Sequence, residues 1–136
     1  MTNQVIPEAA VEAAAGDDRK ARITWLSVPE MYRLNTAART VREAVDGVGL
    51  MLVGSSLERP DYRDVDLRYI MHDDDFNARF PNVAWLRLAN AALSDWLAKA
   101  TGLDIDFQFQ SMTEANEYPG RRHPVGGAHH FEPWVK

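Results

Sequence analysis

Between Leu52 and Ile70 the chain reads as the end of an apolar run, a Gly54-Ser55 break and a polar loop containing Pro60. It then re-enters an extended pattern at Asp64-Val65-Asp66-Leu67. Side chains two apart on a strand share a face, so Asp64 and Asp66 point one way while Val65 and Leu67 point into a core. Like charges held side by side are unfavourable unless something cationic sits between them. This stretch therefore demands a strand with one buried face, and positive charge beside its other face.

The flanking segments supply the rest of a fold. Val48 to Val53 is continuous apolar sequence bounded by glycines, the pattern of a buried strand. Ahead of it, Ser27-Val28-Pro29-Glu30 has the composition of a capping box, and Met31, Leu34, Ala38, Val41 and Val45 recur at helical spacing, with Gly47 as the stop. Asp73-Asp74-Asp75 suits the start of a short helix ending near Phe80-Pro81, because carboxylates favour exposed N-terminal amides. Asn82 then caps a long helix from Val83 to about Ala100. Trp85, Ala89, Ala92, Leu93, Trp96 and Ala100 are its expected buried stripe, and Gly102 its end. A third strand runs from Leu103 to Gln110, with Ile105, Phe107 and Phe109 on one face and Asp104, Asp106 and Gln108 on the other.

The order of elements predicts an α+β fold, a small mixed sheet with helices packed on one face. Its bounds are a loosely held arm over residues 1–22, a single domain over 23–112 and an irregular tail over 113–136. Within the arm's end, Ile23 to Leu26 reads as a short extended segment. In the tail, Trp134 is expected to tuck back onto the domain.

Composition narrows the function. The 136 residues suit one domain with a real core, and the absence of cysteine excludes disulfides and thiolate metal sites. No apolar run is long enough to span a bilayer and no signal pattern opens the chain, so no membrane partner and a cytoplasmic setting are expected. The net charge of −5 argues against broad nucleic-acid binding, which needs a basic face, and leaves open small nucleotides carried by a metal ion.

If the second and third strands are neighbours with their apolar faces on one helical layer, Asp64, Asp66 and Asp106 project together from the opposite face. Three carboxylates make a hard-oxygen site suited to Mg²⁺ or Mn²⁺. Gly54 permits close approach of a phosphate, and Ser55 adds a hydroxyl and a backbone N–H. Arg59, Arg63 and Arg68 are near enough in sequence to balance triphosphate charge. Asp104 reads as a solvated neighbour. His123, His129 and His130 read as part of a flexible polar tail rather than a metal site, and Arg121-Arg122 as solvated charge in the same tail, with contact to phosphate or nucleic acid the lesser alternative.

On these residues the chain resembles the DNA polymerase β-type nucleotidyltransferase superfamily, whose signature is an apolar strand, Gly-Ser, a loop, Asp-x-Asp and a third acid on a later strand. The resemblance covers roughly residues 30 to 110. It extends to minimal nucleotidyltransferases, some of them antitoxins, and to small nucleotidyltransferase-like proteins of actinobacterial phages. It implies the polymerase β-like palm fold, Asp64, Asp66 and Asp106 as metal ligands and catalytic acids, and Gly54, Ser55, Arg59 and Arg63 as nucleotide-binding residues. The activity implied is transfer of a nucleoside monophosphate from an NTP to a hydroxyl of a protein, RNA or small molecule. Only eight residues separate Ser55 from Asp64, and no second domain to bind an acceptor is recognisable in the sequence. The alternative is therefore a catalytically weak or inactive member acting as an interaction protein, such as an antitoxin or a phage host-directed factor. A homo-oligomer built through the tail is a third possibility.

Overall fold

Helix α1 (Val28–Ala44) begins at a reciprocal capping box. The Glu30 N–H donates to Ser27 Oγ at 3.2 Å and the Ser27 N–H donates to Glu30 Oε1 at 2.7 Å, so two otherwise orphaned amides are satisfied. Its stripe of Met31, Leu34, Ala38 and Val41 is buried. The helix gives way to extended backbone at Val45, just ahead of the expected stop at Gly47. Strand β1 (Gly49–Val53), a 3-10 turn (Ser55–Leu57) and β2 (Val65–Met71) follow. Helices α2 (Asp73–Arg79) and α3 (Val83–Thr101) lead to β3 (Ile105–Ser111), then α4 (Met112–Asn116) and β4 (His123–Pro124).

This computed structural model describes residues 22–127; all of the expected 1–22 arm but Arg22, together with His129, His130 and Trp134, lies outside them. The fold is mixed α+β, with four strands in the order β3-β2-β1-β4. β1 pairs antiparallel with β2 and β4, while β2 and β3 run parallel. A parallel pair needs a long crossover, and α2 and α3 provide it. Leu50, Leu52, Leu67, Tyr69, Phe107 and Phe109 form the sheet's share of the core, closed by α1 and by Leu97 of α3. Among the described residues, no helix is long and apolar enough to cross a membrane.

Helix α3 has the expected span, Asn82 cap and left-handed Gly102 end, but a different buried face. Leu97 and Thr101 are buried, whereas Trp85 and Trp96 are 48% and 43% exposed. The physical reason is the free edge of β3. The Phe107 N–H donates to Ser94 Oγ at 2.9 Å and the Phe109 N–H donates to Asn90 Oδ1 at 3.0 Å. Unpaired edge amides need partners, and the polar pair that supplies them turns the tryptophans outward. Leu97→Ala should therefore cost about 2–5 kcal/mol by urea denaturation. Trp96→Ser should cost about 1 kcal/mol or less.

The expected irregular tail is also corrected as far as Gly127. Helix α4 and β4 are both regular, Ala115 and Val125 are buried, and the Val125 N–H donates to the Leu50 carbonyl at 2.9 Å. Helices α1 and α3 lie on one face of the sheet, as expected. Ala115 of α4 instead borders one cavity with Ile70 and Gln110, which belong to the opposite face. The signal was missed because a five-residue helix and a two-residue strand are too short to show a period. At the other end, Thr24 is buried and its hydroxyl donates to the Ser56 carbonyl at 3.0 Å, which docks the segment before α1.

Candidate functional site

Asp66 and Asp106 are register partners on adjacent parallel strands. The period of two places both on the face opposite the core, while their neighbours Val65, Leu67 and Phe107 are buried. Asp64 stands one residue before β2, exposed, at the position that continues the same face.

The turn after β1 brings Gly54 against this pair. Gly54 has φ of +82°, and a Cβ there would lie 2.2 Å from Asp66 Oδ2. Only glycine allows both the backbone conformation and the close approach. Its N–H donates to Tyr118 Oη at 3.2 Å. The Ser55 carbonyl accepts from the N–H groups of Glu58 and Arg59, which tightens the 3-10 turn.

Arg68, on the same strand face, reaches across to β3. Its Nη1 donates to the carbonyls of Leu67 at 2.9 Å and Asp106 at 2.8 Å, and Nη2 lies 3.5 Å from Asp106 Oδ2. The Arg68 side chain is 16% exposed and that of Asp106 is 45% exposed. Burial pushes the Asp66 carboxyl above its usual range. The Arg68 guanidinium pulls it down, and the charges of Asp106 and then Asp64 push it up again.

A raised carboxyl holds its proton more tightly in the folded chain than in the unfolded one. It favours folding below the ordinary carboxylate range, and that contribution is lost as pH rises through the raised value. At neutral pH the charged Asp66 is thus a liability to stability. Asp66→Asn should stabilise the protein at pH 7, and denaturant titrations should show the gain vanishing below about pH 4.

A cavity of about 190 Å³ opens beside this pair. Its polar wall is Gly54, Asp66, Arg68, Gln110, Tyr118 and Arg122, over an apolar floor of Val53, Ile70 and Ala115. Asp64 and Asp106 border a separate open groove along the β3 edge, with Asp104 and with Ser94 and Asp95 of α3. Gly54 and Asp66 thus share one cavity, and Asp106 joins Asp66 through the strand register.

The expected phosphate ligands are placed differently. Arg59 pairs with Asp61 at 3.3 Å on the exposed loop, Arg63 is exposed, and neither lines the cavity. The arginines there are Arg68 and Arg122, the latter donating to the Ala115 carbonyl at 2.9 Å and Asn116 Oδ1 at 3.1 Å. Arg121 instead pairs with Glu58 at 3.3 Å. His123 belongs to β4 opposite Leu52, and burial, with Arg121 nearby, lowers its pKa. Tyr118 and Gln110 went unnoticed in the sequence. Gln110 was legible, being on the Asp106 face of β3 by period two, whereas nothing local marks Tyr118.

Comparison of the chain with protein-family models, with curated proteins and with solved structures finds no match. The site must be judged on its own chemistry. Three carboxylates fit Mg²⁺ or Mn²⁺ as a donor set. Among the described residues, however, no group of three or more acidic or histidine side chains is arranged to enclose an ion. What lies on Asp106 is the guanidinium of Arg68.

Proposed function

We propose that the chain is a nucleotidyltransferase of the polymerase β type, built on that superfamily's palm fold, which transfers a nucleoside monophosphate from an NTP to a hydroxyl of a protein, RNA or small molecule. The observation that carries this reading is the register of Asp66 with Asp106 beside the Gly54 turn. Asp64, Asp66 and Asp106 are the residues that would hold Mg²⁺ or Mn²⁺. Such an ion, when bound, would supply charge neutralisation for the triphosphate and would lower the pKa of an attacking hydroxyl.

The chain's own groups do the positioning. Gly54 borders the cavity at the turn, and Arg68 and Arg122 place positive charge on its wall to meet a phosphate. The acceptor oxygen forms its bond to the α-phosphorus as the bond to the pyrophosphate oxygen breaks, and the hydroxyl proton passes to a carboxylate or to water. Catalysis of this kind rests on alignment and charge placement more than on covalent chemistry by the protein.

The test is incubation with labelled NTPs, Mg²⁺ or Mn²⁺ and cell lysate, beside the Asp64→Ala/Asp66→Ala variant. Label on protein or RNA with the wild type alone supports transfer. If calorimetry detects neither metal nor nucleotide binding, the enzymatic reading is abandoned.

A second reading, an interaction protein using this fold without turnover, is favoured by one observation. Trp85, Leu88 and Trp96 recur at helical spacing on the exposed side of α3, and Tyr32 of α1 is exposed near Trp96. On that reading a specific complex survives Asp66→Ala and is lost in Trp85→Ser/Trp96→Ser. The reverse pattern excludes it.

A further inference from the structure

The sequence leads one to expect a cation beside the carboxylates of this face, and Arg68 places one on Asp106, the register partner of Asp66. Two of its three contacts go to backbone carbonyls, those of Leu67 and Asp106, and these fix the guanidinium on the β2–β3 seam. The third, Nη2 to Asp106 Oδ2 at 3.5 Å, is the longest and involves the only carboxylate. The charge is largely withdrawn from water, so its effect on neighbouring charges is poorly screened.

We propose that Arg68 is a tethered cation standing on the Asp106 carboxylate, beside its register partner Asp66, in place of a divalent ion, so that guanidinium and ion exclude one another there. This rests on the nucleotidyltransferase reading of the two carboxylates. A guanidinium held by backbone carbonyls cannot drift far, so an entering ion meets both a lost contact and a nearby like charge. The ion alone binds weakly. A triphosphate oxygen that accepts from Arg68 Nη2 in place of Asp106 Oδ2 frees that carboxylate and offsets the guanidinium charge while Nη1 stays tethered, which makes ion and nucleotide binding cooperative. The arrangement keeps the carboxylates compensated while no substrate is present.

The experiment is Mn²⁺ titration by calorimetry of wild type, Arg68→Gln and Arg68→Gln/Asp106→Asn, with and without a non-hydrolysable NTP analogue. Arg68→Gln should bind Mn²⁺ at least tenfold tighter than wild type, the analogue should narrow that gap, and Asp106→Asn should abolish the gain. Equal affinity in wild type and Arg68→Gln, with loss on Asp106→Asn, overturns the proposal and leaves the nucleotidyltransferase reading standing. Absence of binding in every protein overturns both. Should Arg68→Gln not fold, the Arg68 side-chain NMR resonances of wild type decide the matter. They should shift on Mg²⁺ and analogue addition, and resonances that stay fixed while the ion binds overturn the proposal.

Discussion

Gly126→Ala should lower the stability of the protein by about 3 kcal/mol, seen as a fall in Tm of about 10 °C. Gly126 has φ of +78°, a conformation that costs a residue with a side chain about 1–2 kcal/mol. An added Cβ would also lie 2.8 Å from the Ala38 carbonyl carbon and 2.9 Å from its oxygen. These are backbone atoms inside α1 and cannot swing aside as a side-chain tip can. The chain from 123 to 127 must lift instead. That weakens the 2.6 Å hydrogen bond from the Gly126 N–H to Asn35 Oδ1 and exposes Val125, which is 1% accessible. Gly127→Ala is the control, since its nearest new neighbour is Arg42 Nη1 at 3.8 Å and its φ is ordinary. A neutral Gly126→Ala would mean that this segment is not a working part of the core.

If the proposed nucleotidyltransferase reading holds, Asp66→Ala should reduce nucleotidyl transfer by at least ~10³-fold, about 4 kcal/mol of transition-state stabilisation, without unfolding the protein. The two effects separate because of where Asp66 sits. It is only partly buried, its side chain faces a cavity, and its charge opposes folding at neutral pH. The paired measurement is turnover with labelled NTP against Tm on the same preparations. Lost activity with an unchanged or raised Tm is the expected result; lost activity with a collapsed Tm would assign Asp66 a structural role.

Much of this arrangement was legible in the chain itself. Strand period two separates Val65 and Leu67 from Asp66, and Phe107 and Phe109 from Asp106, because alternate side chains must point to opposite sides of a pleated backbone. The capping box at Ser27 and the Asn82 cap were equally clear, since each depends on residues only three apart.

Tertiary structure decided what depends on distant partners. Helix α3 carries enough apolar residues to face the core in more than one rotation. The choice fell to the β3 edge, whose amides needed Asn90 and Ser94. The segment from Met112 to Gly127 has too few residues per element to show a period, and it acquires its place from β1 and α1. The site divides in the same way. Sequence alone determined that two carboxylates would share a strand face and need a cation. Only the parallel pairing of β2 with β3 brought Asp106 beside Asp66 and laid Arg68 against Asp106, because strand register sets which side chains meet and local sequence does not.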